Sequence, residues 1–204
     1  MSELARRSVE AGTATITLDS PANRNALSRQ LRRDLLDALH ATEEDDSPGG
    51  GARPHRQRLL CGDIAIAVEE ATFAFPEVRI GIVPAVISVT VLPRVMPRAA
   101  HELFLTGETF DAQRAVAIGL LNAAVPAAEL DAEVARYTGM LAKGGPEALA
   151  LTKQMLRRAP APTMAEDFAA MLEISAARFA SDEGQEGIRA FAEKRPPSWM
   201  PSDG

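Results

Sequence analysis

The feature that most constrains this chain is a change of period in its apolar residues. Up to about residue 78 the apolar and polar residues alternate in short runs: "TATITL" at 13–18, "DIAIAV" at 63–68 and "TFAFPEV" at 72–78. A period of two lines one face of a strand. Between the first two runs, Leu31, Leu35 and Leu39 recur at helical spacing, with Arg and Asp on the opposite face. From about Ala99 onward the spacing is helical throughout. A chain with this order must join strands and one helix at its N-terminal side to a C-terminal run of helices, which places it in the α/β class.

Local signals mark the elements. Ser28 is suited to cap the first helix. The runs at 63–68 and 72–78 are close enough to form a strand pair, with a turn at Pro76. Gly107 is placed to end one helix, and Asp111 and Gly119 bracket the next. Leu130, Val134, Tyr137 and Leu141 form a helical stripe, Pro146 and Glu147 suit a first turn, and Phe168, Leu172, Ser175 and Phe179 run along a long last helix. The segment "VPAVISVTVLPRV" at 83–95 is ambiguous. Its β-branched content favours a buried strand, whereas Pro84 and its length allow a helix.

Composition narrows the functions. Apolar residues make up 46% and charged residues 25% of 204, the profile of a soluble globular chain with an aliphatic core. The net charge of -6 argues against nucleic acid as the main partner. The single cysteine, Cys61, cannot form an internal disulfide and belongs to no zinc-like spacing. His40, His55 and His101 share no spacing with a nucleophile that would suggest a hydrolase triad. No apolar run has the length of a membrane span or a secretion signal, so a cytoplasmic protein is expected.

Four segments in a fixed order resemble the enoyl-CoA hydratase/isomerase, or crotonase, superfamily. They are "SPANRNALS", "FAFPEVRIGIVPAVIS", "PRAAHELFLTGETFDAQRAVAIGLLNAAVP" and "SDEGQEGIRAFAEKRPPSW". The "PAVIS" form is most similar to bacterial methylglutaconyl-CoA hydratase types. The resemblance implies a crotonase-like spiral of strand–strand–helix turns over residues 1–126. A helical oligomerisation region over 127–204 would belong to the same fold unit. It also implies a helix after Pro84, acyl-CoA as ligand, no cofactor beyond the CoA of the substrate, and a homo-oligomer of trimers or paired trimers.

The family stabilises the enolate of an acyl-CoA thioester with two backbone N–H groups, an arrangement in which one donor is typically worth about 10²–10³ in rate. One or two glutamates move the proton. By resemblance Glu77, in "FPEVRIG", is the surviving acid/base; the alternative is a solvated or ion-paired glutamate at a strand end. Arg24 falls where the family contacts the CoA adenosine or phosphate region, Lys194 matches a lysine that the family offers to the CoA phosphate from a neighbouring subunit, and Phe191 matches an aromatic beside the adenine. The alternatives are solvated charges for the first two and a core residue for Phe191.

The stretch "DDSPGGGARPHRQRLLC" at 45–61 departs from the family. The Ala-Gly-x-Asp-like loop that supplies the first oxyanion donor is absent, so the spiral is expected to be shortened by about one turn. Gly50 and Gly51 match the second donor, but Arg residues follow where an aliphatic helix belongs. The position of the family's other glutamate falls on Arg53 or Gln57, neither acidic. Activity is thus left open against a non-catalytic CoA-binding or interaction protein, or a defective product.

Overall fold

The structure, a computed structural model, describes residues 4–10, 13–18, 29–43 and 63–200. The chain forms two compact units, Met1–His55 with Thr138–Gly204, and Arg56–Tyr137.

In the first unit, β1 (Ala5–Glu10) pairs antiparallel with β2 (Thr13–Leu18), from Ala5 opposite Leu18 to Glu10 opposite Thr13. The partner strand "ARRSVE" is too polar to read as a strand, and its pairing with β2 is what makes it one. Helix α1 (Arg29–Glu43) lies on this ribbon. Leu31, Ala38 and Ala5 are buried, and the Leu4 N–H donates to Asp34 Oδ2 at 3.0 Å.

The same unit carries helices α6 (Pro146–Arg157), α7 (Met164–Phe179) and α8 (Asp182–Glu193). Their ends are closed by side chains. Thr163 and Glu166 form a reciprocal capping box on α7, and Ser181 Oγ accepts from the Gly184 N–H at 3.1 Å on α8. Helix α6 begins after Gly145, which has no side chain to cap it. Glu183 of α8 serves instead, its two carboxylate oxygens accepting from the Glu147 and Ala148 N–H groups at 2.9 and 2.8 Å.

The second unit holds β3 (Ile66–Val68), β4 (Thr72–Phe73), a 3-10 turn over Pro76–Ile80, α2 (Ala85–Val91), α3 (Pro97–Thr106), β5 (Phe110–Asp111), α4 (Ala112–Ala117) and β6 (Ala123–Val125). The division between the units falls within α5 (Leu130–Leu141). Phe75, Val91, Leu103, Phe110, Ala115 and Ile118 form the buried core of this unit.

The expected pairing of 63–68 with 72–78 does not occur. β3 pairs parallel with β6, and β4 pairs antiparallel with β5. Asn122 explains the choice: its N–H donates to the Ala65 carbonyl at 2.7 Å, and its side-chain oxygen accepts from the Ala65 N–H at 2.8 Å. The edge of β3 is thereby taken by a short Ala-rich segment with no strand signature of its own. The run at 72–78 also stops being a strand after Phe73, because Pro76 opens the 3-10 turn.

Residues 85–91 are helical, as the resemblance implies and against local β-propensity. Pro84 precedes the helix, and Ser88 and Thr90 turn their hydroxyls back onto the carbonyls of Ala85 and Ile87 at 2.8 and 3.0 Å. Those bonds satisfy the polar side chains within the helix. The signals at Gly107 and Asp111 also hold. Gly107 ends α3 at φ 62, and the Asp111 carboxylate accepts from the Arg114 N–H at 2.7 Å.

Candidate active site

Glu77 sits on the 3-10 turn between two anchors. On its N-terminal side, Phe73 and Phe75 alternate along the chain, and Phe75 packs on Phe104 and Phe110 with ring centroids 4.5 and 5.8 Å apart. On its C-terminal side, the Ile82 N–H donates to the Glu77 carbonyl at 3.1 Å, closing the turn. The Glu77 side chain is half-buried, and its Oε2 is buried with no hydrogen-bond partner among the described residues. Buried acceptors are almost always paired. Glu77 Oε2, by contrast, has no ion-pair partner among the described residues.

A second contact fixes the turn against α3. Arg79 Nε donates to the Thr106 carbonyl at 3.0 Å. This approach is open because residue 107 is glycine. A Cβ there would lie 3.1 Å from Arg79 Nε and 3.3 Å from Pro76 Cα. The Leu-Thr-Gly segment and the Pro-Glu-Val-Arg segment, distant in sequence, are thus one structural device that sets the position of Glu77.

Phe191 and Lys194 come together at the C-terminal end of α8, in the other unit. Phe191 is 87% exposed, which excludes the core alternative for it. It lines a groove of about 370 Å³ with Ala148, Arg178, Glu183, Ile188 and Trp199. Lys194 is exposed and closes α8 in a left-handed conformation at φ 53. Arg24, Gly50, Gly51, His55 and Cys61 lie outside the described residues.

Past Lys194 the chain is clasped. Arg195 Nη1 and Nη2 donate to the two oxygens of Glu186 at 2.7 and 3.0 Å, and the Ser198 N–H donates to Glu186 Oε1 at 3.0 Å. The Arg195 hydrogen bonds, with help from Ser198, hold the Glu186 carboxyl down at about 2. The same pair raises the Arg195 guanidinium above its ordinary value. Trp199 then returns to donate to the Lys143 carbonyl at 3.3 Å.

The model of the enoyl-CoA hydratase/isomerase family matches residues 46–202. The chain belongs to this family. A carnitinyl-CoA dehydratase from Proteus mirabilis is 34% identical over 156 residues, which are 74% of this chain and 58% of that protein. A Thermus thermophilus protein of the enoyl-CoA hydratase type is 37% identical over 139 residues, 68% of this chain and 54% of its own. The chain therefore spans a little over half the length of these curated relatives. Among solved structures, an enoyl-CoA hydratase from Mycobacterium avium is 31% identical with a TM-score of 0.64, covering 98% of this chain and 100% of that one. One from Shewanella pealeana has a TM-score of 0.83 at 23% identity, covering 96% of each, and shows the crotonase-like fold.

The matched region of this hydratase/isomerase-family chain includes Gly50, Gly51, Glu77, Phe191 and Lys194 and begins after Arg24. Sequence reasoning did not find the supporting residues. Arg79 lies two positions from Glu77, and its partner is a backbone carbonyl, which leaves no sequence signal. Glu186 and Arg195 are nine residues apart, a spacing no regular element brings together. Only the turn after α8 does so.

Proposed function

We propose that this protein binds an acyl-CoA thioester and moves a proton at the carbon next to its carbonyl, with Glu77 as the acid/base. The observation that carries the reading is the buried, unpartnered Oε2 of Glu77 within the family's Pro-Glu-Val segment. In the ionised form this oxygen removes the proton. In the protonated form it returns the proton to the same carbon or to a conjugated one, as in isomerisation or in hydration with water adding at the β-carbon. The acyl class of the substrate is that of the family, enoyl-CoA thioesters. CoA enters as part of the substrate, with Lys194 and Arg24 as cations for its phosphates and Phe191 as a face for its adenine. Gly50 and Gly51 are proposed to supply the second oxyanion donor only.

A homo-oligomer is part of the same proposal. Its support is the face of α7, where Met164, Phe168, Leu172 and Phe179 are 88, 72, 61 and 65% exposed at helical spacing. A cytoplasmic setting is likewise proposed, supported by the single cysteine. Among the described residues no helix is long and apolar enough to cross a membrane.

A second reading, CoA binding without turnover, is favoured by the lack of an Ala-Gly-x-Asp-like loop between Glu43 and Asp63. Incubation with crotonyl-CoA, followed by loss of the conjugated thioester absorbance beside a CoA titration, separates the two. Turnover that disappears in Glu77→Gln supports the first. Binding with no turnover selects the second, and absence of both overturns the CoA assignment. A monomer in light scattering at micromolar concentration refutes the oligomer.

A further inference from the structure

Lys194 is the only non-glycine residue with positive φ among the described residues. The left-handed region is disfavoured for side chains with a Cβ, and a helix that ends there normally uses glycine. The rest of the helix end follows the usual pattern: the Lys194 N–H donates to the Phe191 carbonyl at 3.2 Å and the Arg195 N–H to the Ala190 carbonyl at 3.0 Å. A lysine in this position needs something beyond it to hold the turn. The clasp supplies that. Arg195 takes both oxygens of Glu186, its Nε donates to Glu193 Oε2 at 2.6 Å, and its Nη1 donates to the Pro196 carbonyl at 3.1 Å. The Glu186 side chain is only 18% exposed, so the clasp reaches into the packed side of α8. Beyond it Trp199 lies over Gly187, where an added Cβ would stand 3.1 Å from the indole ring.

We infer that Arg195 is a positioning residue: locked to Glu186, it holds Lys194 in its left-handed turn and so presents the Lys194 ammonium to a CoA phosphate. This rests on the CoA reading proposed above. Arg195 itself is committed to two carboxylates and a carbonyl, so it acts on the ligand through Lys194. A lysine in its place cannot reproduce the planar two-oxygen grip.

The test is a set of CoA titrations on the full chain, with pantetheine, which has no phosphate, as the control ligand. The proteins are wild type, Lys194→Ala, Arg195→Ala, Arg195→Lys and the Lys194→Ala/Arg195→Ala double variant. Trp199 is the only tryptophan, so its emission reports whether the tail stays docked. Lys194→Ala should weaken CoA binding roughly two- to five-fold, the range of an exposed ion pair, with the emission unchanged. Arg195→Ala should weaken it equally and shift the emission to the red, and Arg195→Lys should not restore it. The double variant should be no weaker than either single one, and pantetheine should bind all five proteins alike. Lys194→Gly should melt higher than wild type, because glycine relieves the turn, while losing the same CoA affinity. Undiminished CoA affinity in Arg195→Ala, or additive losses in the double variant, overturns the positioning role while leaving CoA binding intact. A wild type that does not bind CoA overturns the underlying reading and this inference with it.

Discussion

Substitution of Glu77 by glutamine separates a catalytic glutamate from a structural one, because only the structural role makes the exchange costly in stability. A structural glutamate is held by donors, and removing its charge strands them. Donors left unsatisfied in this way typically cost about 1–3 kcal/mol. Glu77 Oε2 has no donor to strand. A neutral isostere of the same shape therefore removes no hydrogen bond. The expected change in unfolding free energy is close to zero, against the loss of about 1–3 kcal/mol in the structural case. Turnover of crotonyl-CoA should fall by about 10²–10⁴, the usual contribution of a positioned acid/base. Urea denaturation and the thioester absorbance assay measure the two quantities on one preparation. A variant that loses more than about 1 kcal/mol and keeps its turnover refutes the reasoning, since the oxygen then has a structural partner.

Three further outcomes follow from the same geometry. Gly107→Ala forces an L-residue into φ 62 and drives a methyl toward Arg79 and Pro76, so it should cost about 1–2 kcal/mol and lower turnover although it touches no proposed ligand group; chemical denaturation and the same assay check it. Glu183→Ala removes both acceptors from the first turn of α6 and should cost about 0.5–2 kcal/mol, read by urea denaturation. The carboxyls of Asp167 and Glu186 are each lowered to about 2, from ordinary values of 3.8 and 4.5, by their hydrogen bonds to Arg158 and Arg195 and, further, to the Ala161 and Ser198 N–H groups. Groups depressed on folding stabilise the fold above their unfolded values, so stability should be level above about pH 5 and fall as the pH drops toward about 2. A melting temperature that stays flat from pH 5 to 2 would show that these pairs contribute nothing.

Much of this was legible where a local rule decides. Asp111 and Gly107 occupy helix ends that their own chemistry specifies, and the helical stripes after Ala99 are helices. The misplaced strand pair shows where local reading stops. β3 has two sides, and which segment fills them depends on Asn122, more than fifty residues away, whose neighbours are short and Ala-rich. β1 was hidden for a related reason: Arg6 and Arg7 obscure an alternation that only pairing with β2 makes visible. Glu77 stands out in the motif around it, but its unpaired oxygen does not. An orphan oxygen is a fact about surroundings, and no residue type announces it.

The carboxylate of Glu183 at the first turn of α6 has a consequence for how phosphate can be recognised. A helix N-terminus gathers unpaired N–H groups and attracts anions without discrimination. In this protein the end of α6 already holds an anion tethered to the chain, and Ser181 occupies the end of α8. A phosphate arriving at these two helix starts finds N–H groups already bonded to side chains of the chain itself, the Glu183 carboxylate at α6 and the Ser181 hydroxyl at α8. Attraction there falls to long cationic side chains whose reach and conformation can be tuned one residue at a time. Free inorganic phosphate gains little from such a surface, whereas the proposed CoA ligand would add contacts from its adenine and thioester arm.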